Sequence, residues 1–106
     1  MMIDILTNNF IQALNTNNDI LLNYLLDDQC EWTDSNRHRI VGKEAVIKSL
    51  IDTYRDRQLK IINGKKSDER SLILLYQCDR SNDQEPHTLF IRHNHHNKIC
   101  LIHTLA

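Results

Sequence analysis

The chain has 106 residues, of which 41% are hydrophobic and 25% are charged, with a formal net charge of −1. This length predicts one domain, spanning residues 1–106, around a single hydrophobic core. The near-neutral charge disfavours nucleic-acid binding and attachment to anionic membranes, because both need a basic surface. No apolar run approaches the ~20 residues of a membrane helix, and no basic segment precedes an apolar core near Met1. The sequence therefore predicts a cytoplasmic protein.

Three cysteines, Cys30, Cys78 and Cys100, lie far apart, each within an apolar run that resembles a strand. Their odd number and wide spacing disfavour a disulfide framework, and no Cys-x-x-Cys pair is present for zinc or thiol redox chemistry. They are predicted to be buried thiols in a reducing compartment. No cofactor is predicted.

Two amphipathic helices are predicted at the start of the chain. Apolar side chains recur every three or four positions over residues 3–14, as they do on one face of a helix. The polar run 15–19 interrupts this pattern, since short polar side chains compete for backbone groups and cap helices. The second helix is predicted over residues 20–26.

A short strand and a third helix follow. Cys30, Trp32 and Asp34 alternate with polar residues, which places them on one face of a strand. After a polar loop, Gly42 is predicted to cap a helix that fades over residues 56–58. The apolar positions of this helix are Ala45, Val46, Ile47, Leu50, Ile51 and Tyr54.

Four strands are predicted in the rest of the chain, over residues 59–62, 71–78, 88–94 and 99–105. Turn residues separate them: Asn63-Gly64 predicts a turn or a bulge, residues 81–86 a loop, and residues 94–97 a hairpin turn. Helices followed by a run of strands indicate an α+β fold. Its three helices are expected to pack on one face of a curved, mostly antiparallel sheet.

The last hairpin predicts which residues share a face of the sheet. A turn at His95-His96 pairs Ile91 with Cys100 and Leu89 with Ile102. The covered face would then carry Leu89, Ile91, His93, Cys100, Ile102 and Thr104. The outer face would carry Phe90, Arg92, Ile99, Leu101, His103 and Leu105. Because this outer face is also largely apolar, it is expected to meet a partner.

The order of these motifs resembles the nuclear transport factor 2-like superfold, in its SnoaL-like and ketosteroid-isomerase-like branch. The residues that carry the resemblance are Ala13-Leu14-Asn15, Asp19, Asp27-Asp28, Trp32 to Asp34, and Gly42 to Ile47. The resemblance implies a cone-shaped fold that forms a homodimer through the outer face of the sheet. Since this superfold carries many reactions and also non-catalytic binding proteins, it does not define the activity.

Asp34 matches the position at which ketosteroid-isomerase-like enzymes keep their general base. The two hydrogen-bond donors of such enzymes match Phe10 and Leu89, which donate nothing, so steroid-type isomerisation is not expected. One hypothesis makes Asp34 a base with a raised pKa in an apolar pocket. That pocket would be lined by Phe10, Trp32, Leu89, Ile91, Cys100, Ile102 and Thr104. The other hypothesis makes Asp34 a cap that accepts backbone hydrogen bonds in a turn.

Three histidines, His93, His95 and His96, surround the last hairpin turn. A turn that projects into solvent, without a third ligand, does not predict a metal site. His93 lies on the covered face in the predicted register, so it is the second candidate acid or base, beside Asp34.

Two functions remain open on the sequence. One is acid–base chemistry, of isomerase, cyclase or lyase type, on a small hydrophobic molecule, with Asp34 and His93 as the catalytic residues. The other is a non-catalytic dimeric domain that binds a small apolar ligand or another protein. The polarity of the pocket separates them, because an enzyme needs several convergent polar groups.

Overall fold

The computed structural model describes residues 4–78 and 86–105. The predicted α+β class is confirmed, with three helices and six strands. In chain order they are α1 Ile5–Asn15, α2 Asp19–Leu25, β1 Leu26–Thr33, β2 Arg39–Val41, α3 Lys43–Tyr54, β3 Leu59–Asp68, β4 Ser71–Cys78, β5 His87–His93 and β6 Ile99–Leu105.

The largest differences from the sequence prediction concern β1, β2 and β3. The first strand starts at Leu26, directly after α2, so Asp27 and Asp28 belong to β1. The polar loop contains β2, which is only three residues long and gives no periodic signal. The Asn63-Gly64 pair does not end β3 but lies next to a bulge within it. Of the predicted loop 81–86, only Pro86 lies within the described residues.

Short polar side chains begin two of the helices. Asp4 accepts a hydrogen bond from the backbone N–H of Thr7 at 2.7 Å, and Asn18 accepts one from Leu21 at 3.0 Å. Each satisfies an N–H group that the first turn of a helix leaves free. Gly42 caps α3, as predicted, with a φ of 98° that favours glycine.

The strands form one mixed sheet in the order β2-β1-β6-β5-β4-β3. Four neighbouring pairs are antiparallel, whereas β1 and β6 run parallel. The last strand is therefore central and joins the strands at the start of the chain to the antiparallel meander.

The predicted register of the last hairpin is wrong by two residues. Ile91 pairs with Ile102, and Leu89 pairs with Thr104. A two-residue shift leaves side chains on the same face, so the predicted inward direction of these four residues is confirmed. A bulge next to His93 then exchanges the faces on which the first two residues of β6 lie. Ile99 consequently lies in the core with no exposed surface, whereas Cys100, predicted to point inward, is partly exposed.

The covered face of the sheet can be read in rows across the strands. One row contains Trp32, Ile102, Ile91 and Leu72, and the next contains Thr104, Leu89 and Leu74. Together with helix residues such as Phe10, Leu14, Leu22, Val46 and Leu50, these side chains form one buried cluster. A third row, with His87 and Tyr76, lies at the end of the sheet where β1 and β6 finish. We call this the Tyr76 end, and the opposite one the His93 end.

Candidate functional site

Asp34 lies just beyond the end of β1, in the turn that leads to β2. Its Oδ1 accepts backbone hydrogen bonds from Asn36 at 2.9 Å and from His38 at 2.8 Å, and its Oδ2 lies 3.3 Å from Nδ1 of His38. Partial desolvation acts to raise the pKa of Asp34, but these hydrogen bonds and His38 outweigh it and hold the pKa below its ordinary value. The expected raised pKa is therefore wrong, and the turn-cap geometry is present. A catalytic role for Asp34 stays a prediction.

His93 lies at the other end of the sheet from Asp34. Across the sheet, Thr33 of β1 pairs with His103 of β6, which pairs with Phe90 of β5. Thr33 and His93 are therefore two strands apart across the sheet and three residues apart along it. Strand geometry puts the two backbones roughly 15 Å apart. Nδ1 of His93 lies 3.3 Å from the carbonyl oxygen of Asn94, and the ring lines a cleft with Asp68, Glu69, Arg70, Arg92, Asn94 and Cys100. Asp34 and His93 thus do not face one common cavity.

Most of the predicted pocket-lining residues fill the core. Phe10, Leu89, Ile91 and Ile102 are buried within the apolar cluster. Trp32 and Thr104 also line a cavity at the Tyr76 end, whereas Cys100 lines the cleft beside His93 because of the bulge in the last hairpin. The space between helices and sheet is therefore filled along its middle and opens at the Tyr76 end, whereas a separate depression beside Leu6, Leu72 and His93 lies at the other end.

The opening is a cavity of about 380 Å³. Its wall combines residues from α3, from the four strands β1, β4, β5 and β6, and from two connections: Trp32, Ser35, Asn36, Thr53, Tyr54, Arg57, Tyr76, Cys78, His87 and Thr104. We call it the tyrosine cavity. A volume of this size lies within the range of small-molecule sites, roughly 300–1,000 Å³.

Two side-chain hydrogen bonds organise the wall. The indole Nε1 of Trp32 donates to the hydroxyl of Thr104 at 2.9 Å, and the hydroxyls of Tyr54 and Tyr76 lie 3.3 Å apart. The rings of Trp32 and Tyr54 are neighbours, with centroids 6.4 Å apart. Sequence periodicity placed Tyr54 on the apolar face of the third helix, and both Tyr54 and Tyr76 are buried. Their hydroxyls nonetheless meet at the cavity.

The two tyrosines are neutral donors near neutral pH. Burial raises the pKa of Tyr54 and of Tyr76, and it is the largest influence on each. A phenol that keeps its proton can donate to a carbonyl or carboxylate oxygen. The wall is thus able to bind an acceptor group.

Arg57 occupies the connection between α3 and β3, which is held at several points. Its N–H donates to the carbonyl of Tyr54 at 3.1 Å, and Asp56 before it has a φ of 62°. On the other side, the Asn15 side chain makes two hydrogen bonds to the backbone of Leu59, at 2.7 and 3.0 Å. Asn15 belongs to the Ala-Leu-Asn motif of the sequence, which therefore fixes the backbone beside Arg57.

The sequence interpretation missed the tyrosine pair for an identifiable reason. The two residues are 22 positions apart, on a helix and a strand, so no local motif links them. A signal was available in their placement: each is an inward-facing tyrosine near one end of its element. Because buried tyrosine hydroxyls require partners, two at the same end of a fold are expected to meet.

The histidines of the last hairpin lie outside the tyrosine cavity. The rings of His95 and His96 are exposed and their centroids lie 4.0 Å apart. Within residues 4–78 and 86–105, no three histidine, cysteine or acidic side chains converge in a way that could hold a metal ion. The helices in the same part of the chain are all too short or too polar to span a membrane.

Comparisons with known proteins identify the fold. No protein-family sequence profile matches the chain, and no curated protein matches it by sequence. Among solved structures it is similar to a nuclear transport factor 2-like protein of unknown function from Cytophaga hutchinsonii, with a TM-score of 0.74 and 16% identity over 98% of this chain and 92% of that one. It is also similar to a proposed ketosteroid isomerase from Kribbella flavida, with a TM-score of 0.82 and 14% identity over 94% of this chain and 73% of that one.

A SnoaL-like protein of unknown function from Burkholderia thailandensis gives a TM-score of 0.77 and 14% identity over 92% of this chain and 88% of that chain. The chain therefore has the nuclear transport factor 2-like fold that its motifs predicted, as found in SnoaL-like and ketosteroid-isomerase-like proteins. At these identities the likeness defines the fold and leaves the function to be argued from the site.

Proposed function

We propose that the protein binds a small molecule in the tyrosine cavity, at the Tyr76 end of a cone-shaped, SnoaL-like domain. The proposal depends above all on one observation, the pair of buried tyrosine hydroxyls 3.3 Å apart in the cavity wall. A ligand oxygen in this space would accept a hydrogen bond from either phenol. The surrounding rings of Trp32 and His87 would contact its apolar body.

Acid–base chemistry on a small hydrophobic molecule is the alternative function. It requires Asp34 as the base, and two features of Asp34 weigh against that role. Two backbone N–H groups already occupy its Oδ1, and its lowered pKa makes it a weak proton acceptor. A screen of small carbonyl compounds against native protein and Asp34→Asn separates the two functions. Turnover that is lost in Asp34→Asn would establish the alternative.

Ligand binding can be followed with an intrinsic probe. Trp32 is the single tryptophan of the chain and lies in the cavity wall, so its fluorescence reports directly on occupancy. We expect small aromatic compounds with one acceptor group to change its emission and to raise the melting temperature. Compounds of this kind that change neither quantity, over a broad panel, would overturn the proposal.

A matched pair of variants locates the binding. Tyr54→Phe removes a hydroxyl from the cavity wall, whereas Tyr24→Phe removes one from an exposed ring on α2. Loss of a neutral hydrogen bond to a ligand costs about 1 kcal/mol, or roughly fivefold in affinity. We expect this loss for Tyr54→Phe and no change for Tyr24→Phe. Equal effects of the two variants would place the binding elsewhere.

We also propose that the protein is a homodimer through the outer face of its sheet. This face carries five apolar side chains that are partly or largely exposed, contributed by β2, β4, β5 and β6: Val41, Ile73, Phe90, Leu101 and Leu105. The registers of the strands pair Ile73 with Phe90 and Phe90 with His103, so Leu101 and Leu105 lie diagonally on either side of Phe90. A cluster of exposed apolar side chains is typical of an interface.

Light scattering tests the dimer. Leu101→Lys would bury a charge in the interface and should give monomer or aggregate, because desolvation of an unpaired charge is unfavourable. Ile20→Lys is the matched control, since Ile20 is an exposed isoleucine on α2, away from the sheet. A native protein that remains monomeric at all concentrations would contradict the proposal.

We propose that the protein is cytoplasmic. Cys30, Cys78 and Cys100 form no disulfide, and burial raises the pKa of Cys30 to about 11, so this thiol is protonated and unreactive. Thiols persist in reducing compartments. Alkylation of protein denatured directly from cells should therefore modify all three cysteines, and blocked cysteines would argue for another compartment.

A further inference from the structure

The described wall of the tyrosine cavity has an excess of positive charge. Arg57 contributes a permanent positive charge, and no described residue of the wall is a carboxylate. The three larger depressions of the described surface mix both signs. The groove between α2 and α3 includes Asp19, Glu44 and Asp52, and the cleft beside His93 includes Asp68 and Glu69. The tyrosine cavity is thus the better place for a negatively charged group.

The Arg57 side chain has no ion-pair partner among the described residues. Three other arginines form ion pairs with acidic side chains, namely Arg39 with Glu31, Arg55 with Asp52, and Arg92 with Asp68. Within residues 4–78 and 86–105, no carboxylate lies within ion-pair distance of the Arg57 side chain. An arginine without an internal partner can use its planar donors for an external carboxylate.

Arg57 also lies close to the tyrosine hydroxyls. Burial is the main cause of the raised pKa of Tyr54 and Tyr76, but the positive charge of Arg57 acts against it at both residues. The backbone of Arg57 is fixed by its hydrogen bond to Tyr54 and by the Asn15–Leu59 contacts that follow. The cation and the two phenols are therefore presented together, on a wall whose backbone is held in place.

We propose that the ligand is a small carboxylate with an aromatic or apolar body. Its carboxylate would bind the guanidinium of Arg57 and accept a hydrogen bond from the tyrosine pair, and its body would pack against Trp32. This assignment of ligand class depends on the proposed binding function. It adds the sign of the ligand's charge and names Arg57 as the residue that binds the charged group.

Benzoate, benzamide and phenyl phosphate form the test set, titrated against Trp32 fluorescence near neutral pH. Charge-assisted hydrogen bonds contribute about 1.5–3 kcal/mol, so benzoate should bind roughly tenfold or more tightly than the uncharged benzamide. Arg57→Gln should remove this preference, and added salt should weaken it. Arg55→Gln is the matched control, because Arg55 is paired with Asp52 and lines the α2–α3 groove.

The outcomes separate the two levels of the proposal. Equal binding of benzoate and benzamide would overturn the carboxylate assignment while leaving the binding function intact. Tighter binding of phenyl phosphate than benzoate would overturn it in favour of a phosphoryl ligand. Binding of none of the three would count against both the assignment and the binding function. A benzoate preference that survives Arg57→Gln, or is lost in Arg55→Gln, would show that Arg57 does not read the charge.

Discussion

Asp34 and the Tyr54–Tyr76 pair lie at the same end of the sheet but in different polar environments. The Asp34 carboxylate is tied to the backbone of its own turn, where Asn36 and His38 occupy one oxygen. The two tyrosine hydroxyls lie within hydrogen-bonding distance of each other, in a cavity wall. A local turn can satisfy the carboxylate within four residues of chain, whereas the phenols meet only after the helix and the sheet have packed.

This difference indicates where a ligand can interact. A carboxylate that accepts two backbone hydrogen bonds has little capacity left and a stabilised charge. Two phenols that are buried, neutral and directed at each other can exchange that contact for a ligand oxygen at little cost. Asp34, which matches the position of a catalytic base, therefore stabilises its turn. Tyr54 and Tyr76, which have the sequence pattern of core residues, provide the candidate site.

The largest expected effect in this comparison is the loss of a whole tyrosine side chain. Tyr54→Ala should lower the free energy of unfolding by about 3–5 kcal/mol, because it removes a buried aromatic ring next to Trp32. Tyr24→Ala, which truncates an exposed ring, should change it by less than about 0.5 kcal/mol. Urea unfolding measures both. Similar losses for the two variants would mean that Tyr54 is not packed as described.

A smaller loss is expected from the hydroxyl alone. Tyr76→Phe leaves the ring in place but removes one hydrogen-bond partner of the Tyr54 hydroxyl, which should cost about 1 kcal/mol of stability. The double variant Tyr54→Phe with Tyr76→Phe removes both groups and should recover part of that loss. Strictly additive losses in the double-mutant cycle would argue against a direct hydroxyl contact.

The turn carboxylate should contribute about 1 kcal/mol. Asp34→Ala removes the acceptor of two backbone N–H groups, whereas Asp34→Asn keeps an oxygen there and should retain most of the stability. Neither variant should alter the binding of aromatic probes. A loss of probe binding in Asp34→Asn at unchanged stability would instead give Asp34 a direct role in the site.

The same residue predicts a pH dependence. The pKa of Asp34 is lower in the folded protein than its ordinary value of 3.8, so the ionised carboxylate favours folding. Its contribution is complete above about pH 4 and is lost as the pH falls through the folded pKa. The stability difference between native protein and Asp34→Asn should therefore shrink below about pH 4. A difference that grows on acidification would require a raised pKa.

The smallest expected effect is that of metal ions on the histidine-rich turn. Excess zinc or nickel should leave the melting temperature unchanged, because His95 and His96 are exposed and lack converging ligands among the described residues. A native-state site at a hundredfold excess over its Kd would add about 2.7 kcal/mol. Such stabilisation, removed by His93→Ala and His95→Ala, would make the turn a metal site.

Sequence patterns predicted most of the fold because its elements are long enough to show a period. The inward direction of Cys30 and Trp32, the cap at Gly42 and the full extent of β6 all follow from local rules. β2 escaped prediction because three residues cannot show alternation. The bulge beside His93 escaped it as well, since a single extra residue changes the face of its neighbours without a mark in composition.

The candidate site was less predictable than the fold because it is formed by tertiary contacts. Tyr54, Tyr76 and Arg57 come from a helix end, a strand and a connection, and they meet only at one end of the packed structure. The resemblance directed attention to Asp34, which a local turn accounts for. Chemical character alone would have pointed to the tyrosines, as inward-facing residues that still need hydrogen-bond partners.

The position of β6 has a consequence for synthesis of the protein. This strand, the most C-terminal of the six, separates β1 from β5 in the sheet. While a ribosome is still making the chain, the β2–β1 pair and the β5-β4-β3 meander therefore lack the strand that joins them. Each presents an unpaired edge until β6 has emerged, and unpaired edges favour association between chains. Protection of nascent chains by a chaperone should matter most in the interval between the synthesis of β5 and that of β6.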